Sequence, residues 1–167
     1  MSQVEFNQLI ALQCYAFEQG NLKRICTNFN QFLGTISPDA LESKNPALYC
    51  AFITEWLKFS SLTCRYNRFS FGQSVSCDLE VETACHKVYA LDFKVVSNQT
   101  PQMLDKLNQT VLEPGKEQML AHGYAQELFS GGSRNLTCMV LAIDTEQQRI
   151  VACRCFDQER DEYFWVD

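Results

Sequence analysis

Long apolar runs, histidines and paired cysteines are all scarce in this chain of 167 residues. No run approaches the roughly 18 consecutive apolar residues of a membrane helix, so we expect no membrane-spanning segment and no membrane partner. Only two histidines occur, and no two cysteines have the C-x-x-C spacing of common zinc sites. The first residues, MSQVEFNQLIALQCYAFEQG, lack the basic start and cleavage site of a signal peptide, so the cytoplasm is the expected location.

Positive charge is also limited, because 14 Lys and Arg face 20 Asp and Glu and the net charge is −6. A nucleic-acid-binding surface is usually basic, so this balance argues mildly against a general nucleic-acid binder. It leaves room for an enzyme with a locally basic cleft. Seven basic residues fall in or beside the predicted sheet: Arg65, Arg68, Lys87, Lys94, Arg134, Arg149 and Arg154.

Nine cysteines are present, an odd number, and most lie in apolar runs, where a free thiol behaves as a small hydrophobic group. We therefore expect reduced, structural cysteines. A zinc site that includes Cys85 and His86 is a weaker alternative, because neighbouring residues of a strand point to opposite faces.

Hydrophobic residues make up 46% of the chain and charged residues 20%, a composition typical of one globular domain. We divide residues 1–167 into a helical lead-in, 1–36, a core, 37–157, and an acidic tail, 158–167, which is either mobile or docked as an extra element. Apolar spacing and turn residues predict helices, then three strands, helices again, and two further strands. The fold class is α/β (α+β), with a mixed sheet of about five strands flanked by helices. The predicted elements are helices 3–18, 21–33 and 46–59, strands 61–68, 74–83 and 87–96, helices 102–112 and 116–129 separated by Pro114-Gly115, and the strands LTCMVLAID and RIVACRCF.

The chemistry is concentrated on two neighbouring strands, which carry Asp78, Asp92 and Lys94. Strand side chains alternate, so Asp92 and Lys94 share one face. Two nearby carboxylates repel each other unless a cation or proton lies between them, and Mg²⁺ is bound by such groups together with water and phosphate. The ion can polarise a phosphoryl group, and a lysine beside it can stabilise the negative charge of the transition state. The alternative is a solvated hairpin face on which these residues have no chemical role.

The spacing D-x13-D-x-K, followed by a helix containing EQMLAHGYAQEL, resembles the PD-(D/E)XK nuclease superfamily. It is most similar to the nuclease-like C-terminal domain of bacterial proteins that begin with an AAA-ATPase-like domain. The resemblance covers roughly residues 10–157, and KVYALDFKV, EQMLAHGYAQEL and RIVACRCF are its best-matching pieces.

This resemblance implies a restriction-endonuclease-like core, a bacterial source and Mg²⁺ or Mn²⁺ as cofactor. It implies that Asp78 and Asp92 bind the metal and that Lys94 is the catalytic lysine. Gln118 would be the motif glutamine that reaches the site from the following helix, and Tyr124 would be its supporting tyrosine.

Three positions depart from the family pattern. The glutamate of the first core helix is missing, and Glu42 or Glu55 could replace it only by a shift. The acidic residue of the first hairpin strand is absent from RYNRF, and Ser76-Cys77 stands where Gly-Arg commonly precedes the hairpin aspartate. The ATPase-like domain is not part of this chain either.

Three functions are therefore considered. The first is an Mg²⁺-dependent nuclease that hydrolyses phosphodiesters of DNA or RNA. The alternative is a catalytically inactive nuclease-like fold that binds a protein or a nucleic acid. The third is an unrelated α/β adaptor on which D-x-K is only a surface feature.

Overall fold

The computed structural model describes residues 1–42, 44–66, 79–129 and 135–167. They form one six-stranded sheet with helices on both faces and a helical segment at the N-terminus. The predicted class, a mixed sheet flanked by helices, is confirmed. The expected positions Asp78, Arg68, Arg134, Ser76 and Cys77 lie outside the described residues.

Three helices precede the sheet: α1 is Gln3–Gln19, α2 is Leu22–Leu33 and α3 is Pro46–Leu57. Each begins at a side chain that accepts a backbone hydrogen bond in its first turn, and these caps are Ser2, Asn21 and Asn45. At the other end of α1, Gly20 adopts φ 67°, a left-handed conformation that glycine tolerates and that turns the chain into α2. Local sequence signals therefore account for these three helices.

The strands follow in chain order across the sheet. The first three form an antiparallel meander, as the short turns predict. The next strand runs parallel to the third, and the last two are again antiparallel. The strands are β1 Thr63–Tyr66, β2 Leu79–Glu82, β3 Lys87–Val96, β4 Asn135–Asp144, β5 Arg149–Phe156 and β6 Asp161–Trp165.

The sixth strand, one more than the sequence indicates, comes from the acidic, aromatic segment 158–167. Asp161–Trp165 pairs antiparallel with β5 at the edge of the sheet. Of the two alternatives for this segment, the structure therefore has the docked element. Aromatic residues favour a strand, and the acidic residues Asp161 and Glu162 are tolerated because an edge strand is partly exposed.

A long helical segment connects the parallel strands β3 and β4. It comprises α4 Leu104–Leu107, α5 Glu113–Met119 and α6 Ala125–Phe129, joined by two π-helical turns. The predicted interruption at Pro114-Gly115 is wrong, because the helical segment continues through both residues; the π-helical turn Asn108–Leu112 directly precedes α5, which contains Pro114. The segment bends instead at Gly123, whose φ is 111°.

The sheet has two distinct faces. On the first face, α1 to α3 cover a core that includes Leu91, Phe93 and Leu141. On the second face, α4 to α6 cover a core that includes Ala90 and Val140. Because strand residues alternate, β3 places Tyr89, Leu91 and Phe93 on the first face and Val88, Ala90, Asp92 and Lys94 on the second.

One side chain joins the N-terminal helices to the backbone of β5. The Asn30 amide of α2 donates to the Ile150 carbonyl at 2.8 Å and accepts from the Ile150 N–H at 2.6 Å. Ile150 lies at a β-bulge, where the register between β4 and β5 shifts. Asn30 thus satisfies backbone groups that the bulge removes from the β-ladder.

All eight cysteines among the described residues are free thiols, and five of them are buried.

No described helix combines the length and apolarity needed to cross a membrane.

Candidate functional site

A groove of about 540 Å³ opens beside β3, between the segment that contains α5 and the start of α3. Apolar side chains form most of its walls, while Asp92, Lys94, Thr110 and Gln118 supply its polar groups. Its lining residues are Pro46, Asp92, Phe93, Lys94, Val95, Thr110, Val111, Pro114, Gly115 and Gln118. The size and mixed lining are those of a pocket for a small ligand or for part of a larger one.

Asp92 and Lys94 meet in this groove because they are two residues apart on one strand. The Lys94 ammonium lies 3.0 Å from Asp92 Oδ2. The Asp92 side chain is only 10% exposed, whereas that of Lys94 is 28% exposed. The pair thus places a buried carboxylate beneath a cation that solvent can reach.

Gln118 comes to the same place from α5. The Lys94 ammonium donates a hydrogen bond of 2.8 Å to Gln118 Oε1. The Lys94 ammonium is thus hydrogen-bonded to Gln118 and ion-paired with Asp92, while 28% of its side chain stays exposed to solvent. The structure brings together these three sequence-predicted residues, and their catalytic roles stay predictions.

The other predicted residues lie elsewhere. Tyr124 is fully buried in the core of the second face and is not among the residues that line the groove. Glu42 and Glu55, the two candidates for the missing helix glutamate, are exposed, and Glu55 pairs with Lys58. The helix that approaches the groove is α3, but it contributes Pro46 rather than an acid. Asp78, the proposed second metal ligand, lies outside the described residues.

Arg154 of β5 was not expected near the site. It pairs in register with Val140, which in turn pairs with Asp92, so the three residues form one row across the second face. Its guanidinium makes two parallel hydrogen bonds to Asp161, of 3.0 and 2.9 Å, and also pairs with Glu113 of α5. This row depends on strand register, which the sequence alone does not reveal.

Asp161 also accepts a hydrogen bond from Lys116 of α5. Burial raises the pKa of Asp161, but the hydrogen bonds from Arg154 and Lys116 outweigh it and hold this pKa below its ordinary value. The strand β6 is therefore attached to the helix that carries Gln118.

Glu80 is a second nearly fully buried carboxylate on this face, opposite Ala90. It pairs with Arg65 at 3.1 Å, and Arg65 also reaches Glu82 at 3.0 Å. Hydrogen bonds from His86 and Arg65 lower the pKa of Glu82. The sequence could have indicated the position of Glu80. Side chains alternate along the predicted strand 74–83, so Glu80 is expected on the same face as Asp78.

A protein-bound metal ion needs several donor side chains close together. Among residues 1–42, 44–66, 79–129 and 135–167, no three His, Cys, Asp or Glu side chains form a group that could hold an ion. Asp92 alone offers a carboxylate to the groove, and carboxylate oxygen is the donor that Mg²⁺ prefers.

The groove thus combines a buried carboxylate, a lysine that is ion-paired with it, and the amide of a crossing helix that accepts a hydrogen bond from this lysine. Comparisons of the chain with protein-family models, with curated proteins and with solved structures gave no significant match.

Proposed function

We propose that this protein is a divalent-metal-dependent nuclease of the PD-(D/E)XK type, which hydrolyses phosphodiester bonds of DNA or RNA. The observation that carries the proposal is the position of the Lys94 ammonium, 3.0 Å from Asp92 Oδ2 and 2.8 Å from Gln118 Oε1. The residues of the D-x-K strand and of the following helix, 24 positions apart, thus converge in one groove.

The donor chemistry of the groove fits a hard divalent cation. Asp92 would hold Mg²⁺ or Mn²⁺ through carboxylate oxygen, with Asp78 as the second proposed ligand. Such an ion, when bound, polarises a phosphoryl oxygen and lowers the pKa of a coordinated water.

Lys94 would act on the substrate directly. Its cationic ammonium favours a phosphate oxygen on which negative charge increases during hydrolysis. The Asp92 and Gln118 oxygens hold the ammonium in place before the substrate arrives, so little reorganisation is needed during the reaction. Gln118 is therefore an orienting group, and Lys94 is the charged one.

The charge of the protein surface determines how strongly binding to the nucleic-acid backbone should depend on salt. For duplex DNA, the logarithm of the binding constant falls linearly with the logarithm of the salt concentration. Each phosphate that a protein cation neutralises makes this slope steeper by about 0.9. Many cations of this acidic protein already have acidic partners within the chain, as do Lys44, Lys58, Arg65, Arg154 and Arg160. These acidic partners compete with phosphates for the cations, so we expect a shallow salt dependence.

The net charge of −6 favours a second function, that of a catalytically inactive fold that binds a protein or a nucleic acid. In this function, Asp92 and Lys94 would be an ion pair without chemistry. The cleavage experiment separates the two functions.

The test is cleavage of single-stranded DNA, duplex DNA and RNA with Mg²⁺, with Mn²⁺ and with a chelator. Cleavage should require the metal, and Asp92→Asn should remove it along with metal binding measured by calorimetry. The matched control is Asp39→Asn, which removes the same charge from an exposed turn residue away from the groove. Cleavage by Asp92→Asn at the wild-type rate would indicate a contaminant. No cleavage of any substrate by the folded wild type would favour the binding function.

A further inference from the structure

Helix α5 lies close against the sheet at Gly115. This glycine is buried, and a Cβ added to it would lie 2.6 Å from Val140 Cγ1 and 3.4 Å from Lys94 Cε. Carbon atoms in good contact are about 3.5–4.0 Å apart, so the first of these distances is impossible for a real side chain. Val140 is fully buried in a central strand and β-branched, hence it has little freedom to turn aside.

The same approach determines where Gln118 lies. Gln118 is three residues after Gly115, so the two residues share a side of the helix. The Lys94 side chain packs against Gly115, and its ammonium donates a hydrogen bond to the side-chain amide oxygen of Gln118. Raising α5 by about 1 Å, the shift that a Cβ would require, would stretch the 2.8 Å hydrogen bond beyond the usual limit of about 3.2 Å.

The outer flank of α5 restricts other ways of making room. Lys116 pairs with Asp161, and Glu113 pairs with Arg154, so α5 is attached to β5 and β6 on the side away from Lys94. Tilting the helix away from Val140 would disturb these ion pairs. The gap between α5 and the sheet is therefore fixed from both flanks.

We propose that Gly115 is a positioning residue of this site. Because it has no side chain, α5 can pack directly against Val140, and this brings the side-chain amide oxygen of Gln118 within hydrogen-bond distance of the Lys94 ammonium. The expected effect on catalysis rests on the proposed function, whereas the placement of the ammonium does not. The two are therefore tested by separate measurements.

The variant is Gly115→Ala. Its matched control is Gly34→Ala, whose Cβ would meet Asn30 O at 3.3 Å at the end of α2 and would not touch the groove. In protein with ¹⁵N-labelled lysine, the Lys94 ammonium should give a slowly exchanging signal, identified by its loss in Lys94→Arg. Gly115→Ala should abolish the protection of this signal, and Gly34→Ala should leave it unchanged. If Gly115 had only a structural role, its substitution would not selectively remove the protection of the Lys94 ammonium.

A second variant restores the space. In Gly115→Ala/Val140→Ala, the new methyl group occupies the volume that the valine methyls leave, so the protected Lys94 signal should return. This rescue also decides the matter if Gly115→Ala alone does not fold. Lack of a protected Lys94 signal in the wild type, or its survival in folded Gly115→Ala, would overturn the proposal.

Catalysis supplies an independent measurement. Because a misplacement of 1 Å can cost about a hundredfold in rate, Gly115→Ala should lower kcat by that order and leave KM within about twofold. The double variant should recover most of the rate. If the wild type cleaves nothing, the proposed nuclease function fails, while the ammonium signal still decides the role of Gly115.

Discussion

The first face of the sheet is covered by three helices with regular caps, whereas the second is covered by a segment with two π-helical turns and a bend at Gly123. The chemistry of the two faces differs as well. Aromatic pairs such as Phe17–Phe29 and Phe32–Trp56 fill the first. All four buried charged side chains of the described residues belong to the second: Glu80, Asp92, Asp144 and Arg154.

This difference separates stability from function. Burial of apolar and aromatic surface stabilises a fold directly, whereas a buried ion pair costs about as much in desolvation as it returns. Irregular helical turns, too, are common at functional sites. Both faces have an apolar core, but we expect substitutions on the first face to affect mainly stability and substitutions in the groove to affect mainly activity. The following substitutions test this division.

The largest loss of activity is expected from the pair Asp92 and Lys94. Lys94→Met should lower metal-dependent cleavage by about a hundredfold or more, because it removes the cation that stabilises the transition state. The double variant Asp92→Asn/Lys94→Met should be no slower than the slower single variant, since residues that act as a unit do not add. Cleavage rates of variants shown to be folded by circular dichroism give the result. Additive losses would mean that the two residues act independently.

The largest loss of stability is expected on the first face. Phe29 is fully buried and in edge contact with Phe17 and Trp56, so Phe29→Ala should lower the free energy of unfolding by about 3–5 kcal/mol. The matched control is Phe129→Ala, because Phe129 is 65% exposed on α6 and should contribute little. Urea unfolding measures both. A similar cost for the two variants would contradict the stabilising role of the buried aromatic cluster around Phe29.

Gln118→Ala should have a smaller effect than the charged pair. Losing one hydrogen bond to a charged group should lower the rate by about tenfold, provided that Lys94 keeps its ion pair with Asp92. The control is Gln126→Ala, an exposed glutamine later in the same helical segment. Initial cleavage rates at saturating metal provide the comparison. A loss as large as that of Lys94→Met would show that Gln118 does more than orient the lysine.

Acid should weaken the attachment of β6 to α5. The pKa of Asp161 is lowered in the folded state, so its contribution to stability is present above the ordinary value of 3.8 and is lost as pH falls through the lowered value. The difference in unfolding free energy between the wild type and Asp161→Asn should therefore shrink at low pH. Urea unfolding from pH 7 to pH 3 measures this difference, and a constant difference would contradict the assignment.

The smallest effect concerns the thiols. Burial raises the pKa of Cys155 to about 12 and that of Cys64 to about 11, so these thiols should react slowly in the native protein. Cys85 is exposed and should react fast. Thiol titration under denaturing, non-reducing conditions should count all nine cysteines of the chain. A lower count would reveal disulfides.

The sequence allowed the helices and strands of the first half to be predicted because their signals are local. Ser2, Asn21 and Asn45 cap the three helices, and the alternation in β3 places Asp92 beside Lys94. The family resemblance predicted that Gln118 would join them.

The rest depends on distances between elements. Pro114-Gly115 predicts a break, because proline and glycine usually end a helix, whereas in the structure the glycine provides a close contact with Val140. Arg154 reaches the row of Asp92 only through the register of β3, β4 and β5. Neither contact leaves a trace in the local pattern of residues.

The hydrogen bonds between Asn30 and Ile150 have a consequence for how the chain folds. They join residues 120 positions apart, so α2 acquires these partners only when most of the chain has been synthesised. Contacts between such distant residues carry a large loop-closure cost before they stabilise anything, and they slow folding. A nascent chain that ends before β5 would therefore leave α2 without these partners, and we expect Asn30→Ala to speed unfolding more than it slows folding.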